Sequence, residues 1–230
     1  MLNQLIREVE KKQNKAKAKI LQGFFKTGKG EYGEGQIFLG LISEQIKEIA
    51  KTYNKLNLTD IQKLLDSEIH EHRVVGVRIL NQKYEKDKEN IFNFYLKNSK
   101  KINNWDLVDI SAPKIMGEFL FEKDKKILYE LAKSENLWEK RISIISTLYF
   151  IKKDQFEDTI KISKFLLKEK HDLIHKAVGW MLREMGKRNE KVLENFLKEN
   201  YKILPRTTLR YAIEKFEEEK RQNFLKGNFC

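Results

Sequence analysis

The chain has 230 residues, 46 of them Lys or Arg and 34 Asp or Glu, for a net charge of +12. With 40% hydrophobic residues, two prolines and no Val-rich alternating runs, general disorder is excluded and an all-α protein is expected. The single cysteine, Cys230, excludes a disulfide framework and a cysteine-based metal site within one chain, and no run approaches the roughly 18 apolar residues of a membrane span.

Residues 2–25 read as one helix with Leu2, Ile6, Val9, Ile20, Phe24 and Phe25 as its apolar positions. The start "MLNQLIREVEKKQNK" has no apolar core segment, so neither a signal peptide nor an anchor is expected, and a cytoplasmic location is. "TGKGEYGEGQIFLG", residues 27–40, is the one irregular segment. It lacks the Lys-Ser/Thr ending of a phosphate loop and reads as a flexible connection over a ligand or as a plain linker. From Ile42 helices of roughly 10 to 18 residues follow. Thr59 opens "TDIQ", a capping-box pattern with Gln62. Breaks fall near Ser67, Asn103, Ser134, His171, Asn189 and Pro205, with Pro205 in the first turn of a last long helix, "RTTLRYAIEKF".

A period joins these breaks. "RVVGVRIL" begins at Arg73, "RISIISTL" at Arg141, "KAVGWML" at Lys176 and "RYAIEKF" at Arg210; the last two intervals are 35 and 34 residues, and the first is 68, two such periods. The intermediate copy is "DISAPKIM" at Asp109, and helices such as "KENIFNFYLKN" and "EKVLENFLKEN" fill the intervals. Stacked helical hairpins of this kind predict a HEAT-like helical-repeat solenoid with a basic concave face. A single domain is expected over 1–230: an N-terminal helix and Gly-rich connection (1–41), repeats (42–217) and a C-terminal tail (218–230).

Four copies carry a cation at this phase, Arg73, Arg141, Lys176 and Arg210, a column suited to tracking phosphates. The charge surplus fits a polyanion, nucleic acid first and an acidic membrane surface second; a lysine-rich genome would also produce it. Asp109 breaks the column. It either neutralises Arg141 of the next repeat or stays ionised to stabilise developing positive charge or orient a water. Trp105 precedes it by one turn and shares its face, and Trp180 shares the face of Lys176. Each indole reads as core or as a platform for a flat cation; Trp138 is assigned to packing. Taken together, Trp105, Asp109 and Trp180 suit a cationic alkylated purine, whose departure leaves oxocarbenium character on the sugar.

"NNWDLVD" (103–109), "LWEKRISII" (137–145), "IHKAVGWMLRE" (174–184) and "LPRTTLRYAIEKF" (204–216) resemble the DNA alkylation repair family, the AlkD-like alkylpurine DNA glycosylases, in order and spacing from about Ile37 to Phe216. The resemblance implies a HEAT-like fold gripping duplex DNA and excision of 3-alkyladenine and 7-alkylguanine, with no metal or other cofactor. It implies Asp109 as the catalytic carboxylate, Trp105 and Trp180 as contacts to the lesion-bearing nucleotide, and Arg141 as a DNA contact near the lesion. Phe24 stands where the family tends to have a lesion-facing tyrosine, and the Gly-rich stretch is longer than usual. A monomer without an obligate protein partner is expected.

Two other readings stand beside this one. A non-catalytic HEAT-repeat nucleic-acid-binding protein explains the charge but leaves Asp109 idle, and a protein-binding scaffold would use the same concave wall. His70 with His72, and His171 with His175, read as exposed polar histidines at helix starts rather than metal ligands.

Overall fold

The computed structural model describes residues 1–228; Cys230 lies outside the described residues. These residues form helices and turns, with one isolated parallel bridge between Ile37 and Ile69, and no helix among them is long and apolar enough to cross a membrane. The chain divides into two compact units, Met1–Ser111 and the remainder from Ala112.

The first unit holds α1 (Leu2–Lys11), α2 (Lys15–Phe24), α3 (Ser43–Thr52), α4 (Leu58–Leu65), α5 (His70–Lys83), α6 (Lys88–Lys97) and α7 (Trp105–Ala112). The single N-terminal helix expected from sequence is two helices. Asn14 ends the first by donating its N–H to Leu39 O at 2.8 Å and starts the second by capping Lys17 N at 3.0 Å. Leu5, Val9, Ala18 and Phe25 are the buried positions, whereas Ile20 and Phe24 are 71% and 62% exposed. The cap of α4 is Asn57, whose Oδ1 accepts from Asp60 N at 2.8 Å, not Thr59. α5 is the centre of the unit: α1, α3 and α4 all pack on it.

The irregular segment is a linker only in part. Residues 26–35 form turns closed by their own hydrogen bonds, among them Gly28 N to Glu31 at 2.9 Å and Gly33 N to Lys26 O at 3.0 Å. Gln36 and Phe38–Leu41 are a buried strap. The carboxylate of Glu71, on α5, accepts from Leu39 N (3.0 Å), Gly40 N (2.7 Å) and Leu41 N (3.3 Å), so the strap's donors end on a buried anion. Gly40 is required here: its φ is +88°, and a Cβ would lie 2.3 Å from Asn14 O.

The second unit opens with a wide π-helical segment, Pro113–Glu118, followed by α8 (Lys126–Lys133), α9 (Leu137–Ser146), α10 (Leu148–Ile151), α11 (Glu157–Leu166), α12 (Asp172–Arg188), α13 (Glu190–Asn200), α14 (Arg206–Ala212) and α15 (Glu218–Lys226). Pro113 has no N–H to donate into the preceding turn, which loosens the helix at that point. α8 pairs with α9 and α11 with α12; α8 stacks on α11, and α12 on both α9 and α14. This is hairpin stacking of the helical-repeat kind. The expected last long helix is the seven-residue α14, with Pro205 just before its first residue, and the expected tail contains α15. Trp138 is buried, as its packing assignment requires.

Candidate nucleic-acid interface

In the first unit, Asn104 Oδ1 accepts from Trp105 N at 2.8 Å and starts α7. Trp105 and Asp109 then stand four residues apart on this helix, one turn, and both are half-buried. The indole is backed by rings. It stacks on Phe25 (centroids 5.1 Å apart, planes 9° apart), Phe25 stacks on Phe38 (4.8 Å), and Phe38 stacks on the His70 imidazole (4.4 Å). Phe24 meets Trp105 edge-on at 5.9 Å and leaves most of its ring exposed. The charge of Asp109 is felt at Tyr95, whose phenol pKa is raised by burial first and by that carboxylate in addition; its hydroxyl bonds Ser111 at 2.8 Å.

Asp106 does not share the face of its neighbours. Its Oδ2 lies 2.8 Å from His70 Nε2, and His70 Nδ1 lies 3.3 Å from Arg73 Nη2. A guanidinium only donates, so Nδ1 is the acceptor and Nε2–H donates to Asp106. His70 and His72 are buried rather than exposed, and His72 Nδ1 bonds Ser67 Oγ at 2.9 Å. In the second unit His171 Nδ1 caps α12 by accepting from Leu173 N, and His175 Nε2 donates to Glu169 O. Among the described residues no group of three or more His, Cys, Asp or Glu side chains is placed to hold a metal.

The expected cation column needs correction. Arg73 is 4% exposed, bonded to Ser67 O at 3.2 Å and to His70, and burial lowers its pKa to about 10 against the pull of Asp106 and Glu71. A guanidinium so placed serves the interior and does not present a charge to phosphate. The register explains why. Ser67 Oγ accepts from Ile69 N and bonds His72; Ser134 Oγ accepts from Asn136 N and bonds Glu139. Equivalent positions are therefore 67 residues apart, and the counterpart of Arg141 is Val74.

Arg141, Lys176 and Arg210 are each the fifth residue of their helix, as Asp109 is of α7. Arg141 is 5% exposed, and its Nη1 donates to Leu173 O at 2.7 Å, which ties α9 to the start of α12. Lys176 is half-buried and pairs with Asp172 at 2.7 Å; Arg210 is exposed. Trp180, four residues after Lys176, is half-buried, and its Nε1 donates to Glu184 at 3.2 Å. Neither Trp105 nor Trp180 is sealed in the core.

His70, Asp106 and Phe38 were missed as parts of this region. The only sequence signal for the first two was the placement of His70 three residues before Arg73 and of Asp106 between Trp105 and Asp109.

Residues 5–216 match the family described as DNA alkylation repair enzyme. The chain belongs to that family. Solved structures of similar fold include a "Predicted DNA alkylation repair enzyme" from Enterococcus faecalis, 17% identical, with a TM-score of 0.73 over 90% of this chain and 98% of that one. AlkD2 from Streptococcus mutans is 20% identical, with a TM-score of 0.58 over 89% and 99%. No curated protein matches the sequence. At these identities the structures establish a shared helical fold, while family membership rests on the sequence match.

Proposed function

We propose that this family member is a monofunctional DNA glycosylase that hydrolyses the N-glycosidic bond of cationic alkylpurines, 3-alkyladenine and 7-alkylguanine, in duplex DNA. The observation that carries the reading is one turn of α7, which sets a ring-backed indole and a carboxylate four residues apart and leaves both accessible. Alkylation at these ring nitrogens makes the purine a cation. When its glycosidic bond breaks, the bonding pair leaves with the base, which becomes neutral, and positive charge develops on the sugar. Asp109 stabilises that charge and orients the water that adds to the sugar carbon. Trp105 lies against the lesion-bearing nucleotide, where its ring face attracts the cation.

In the second unit Trp180 is proposed as a further indole that contacts the DNA, with Lys176 and Arg210 as phosphate contacts. Arg141 acts from beneath the surface by fixing the start of α12. The net charge of +12 supports a polyanionic partner.

The test is base release from methylated duplex DNA. Free 3-methyladenine and 7-methylguanine are expected with wild-type protein. Tight duplex binding with no base released would overturn the proposal and leave a nucleic-acid-binding protein without catalysis.

A further inference from the structure

Arg78 lies on α5, half-buried, and its Nε is buried with no hydrogen-bond partner. Arg73 and Arg183 also leave a buried Nε without a hydrogen-bond partner, but the other buried or half-buried arginines among the described residues each reach an acceptor through a terminal nitrogen: Arg73 the Ser67 carbonyl, Arg141 the Leu173 carbonyl, Arg183 Glu214, and Arg221 Glu218. Three residues beyond Arg78, Asn81 donates to Ile110 O at 2.7 Å, so this side of α5 meets α7. Burial lowers the Arg78 pKa, and the carboxylates of Asp106 on α7 and Glu44 on α3 oppose that shift. In the 67-residue register, followed by the 35-residue step from Arg141 to Lys176, Arg78 takes the position that Trp180 holds on α12.

A buried donor left unpaired is costly, and a planar guanidinium matches phosphate oxygens better than any other side chain. We propose that Arg78 is a phosphate-binding residue, its guanidinium taking non-bridging oxygens of the DNA backbone beside the nucleotide at Trp105 and Asp109. This rests on the reading that duplex DNA is the ligand, but not on catalysis.

The experiment is a titration of a fluorescent, undamaged duplex by anisotropy over a range of potassium chloride, with wild type, Arg78→Met and Arg78→Lys. Arg78→Met is expected to bind about tenfold more weakly, from the loss of a charged hydrogen bond. Its plot of log affinity against log salt should be shallower by about 0.9, one phosphate contact. Its thermal midpoint should be unchanged or higher, because the unpaired donor is gone, and Arg78→Lys should keep the wild-type slope. An unchanged slope in Arg78→Met, or a variant that does not fold, would overturn the assignment. A wild type that binds duplex but releases no base would sink the glycosylase reading and leave this one standing. A wild type that does not bind duplex would sink both.

Discussion

Asp106 shows how one residue's orientation separates structure from chemistry. It lies between Trp105 and Asp109, yet it accepts from His70, whose ring closes the stack of Phe38, Phe25 and Trp105. Asp106→Leu would leave the buried His70 Nε2–H without an acceptor and should cost about 1–3 kcal/mol, measured by urea denaturation. Asp106→Asn keeps a carbonyl acceptor and should lose less; equal losses would mean that packing, not the hydrogen bond, matters there. The motif "NNWDLVD" revealed the indole and two carboxylates but not which carboxylate turns inward, because that depends on His70, 36 residues away. Arg73 misled for a related reason. A one-residue slip in register turns a side chain by about 100° on a helix, enough to move a cation from the surface to the interior.

Helix boundaries were legible where a side chain caps the new helix. Asn136, His171 and Asn189 each accept from the first turn that follows, and each lies at or near an expected break. The break at Asn14 was hidden because the residues around it, Lys11–Lys15, are polar on every face and carry no periodic signal. The burial of the strap up to Leu41 was hidden too, since its partner Glu71 lies 30 residues beyond it. Packing between elements gives a sharper expectation. A Cβ on Gly179 of α12 would stand 2.5 Å from Tyr211 Cβ and 2.7 Å from Thr208 O on α14. Gly179→Ala should therefore destabilise by about 1–3 kcal/mol in urea, as overpacking does, despite alanine's better helix propensity. At the start of α5, burial lowers the His72 pKa although Glu10 and Glu71 raise it. The unfolded chain then binds more protons than the folded one below about pH 6.5. This contribution is complete above that pH and is lost as the pH falls. The thermal midpoint should drop on acidification from pH 7.5 to 5.5, and less steeply in His72→Gln.

For the molecule as a whole, the all-helical class, the hairpin stacking and the family were readable from composition, period and four motifs, because each recurs along the chain. The division into two compact units was not, since the period runs through the boundary at Ser111. The depth of each cation was not readable either, so the charge of +12 overstated how many cations at the repeat phase face a ligand. With Arg73 and Arg141 buried, Lys176 and Arg210 remain as the surface cations of that phase. Arg210→Ala should flatten the salt dependence of duplex binding by about one unit, and an unchanged slope would remove it from the phosphate contacts. The most direct measurement is single-turnover release of 7-methylguanine from methylated duplex by wild type and Asp109→Asn, with duplex affinity measured in parallel. Release by wild type, and its loss in Asp109→Asn at unchanged affinity, is the predicted result. Equal release by both proteins would show that the α7 carboxylate is not the group that eases the purine from its sugar.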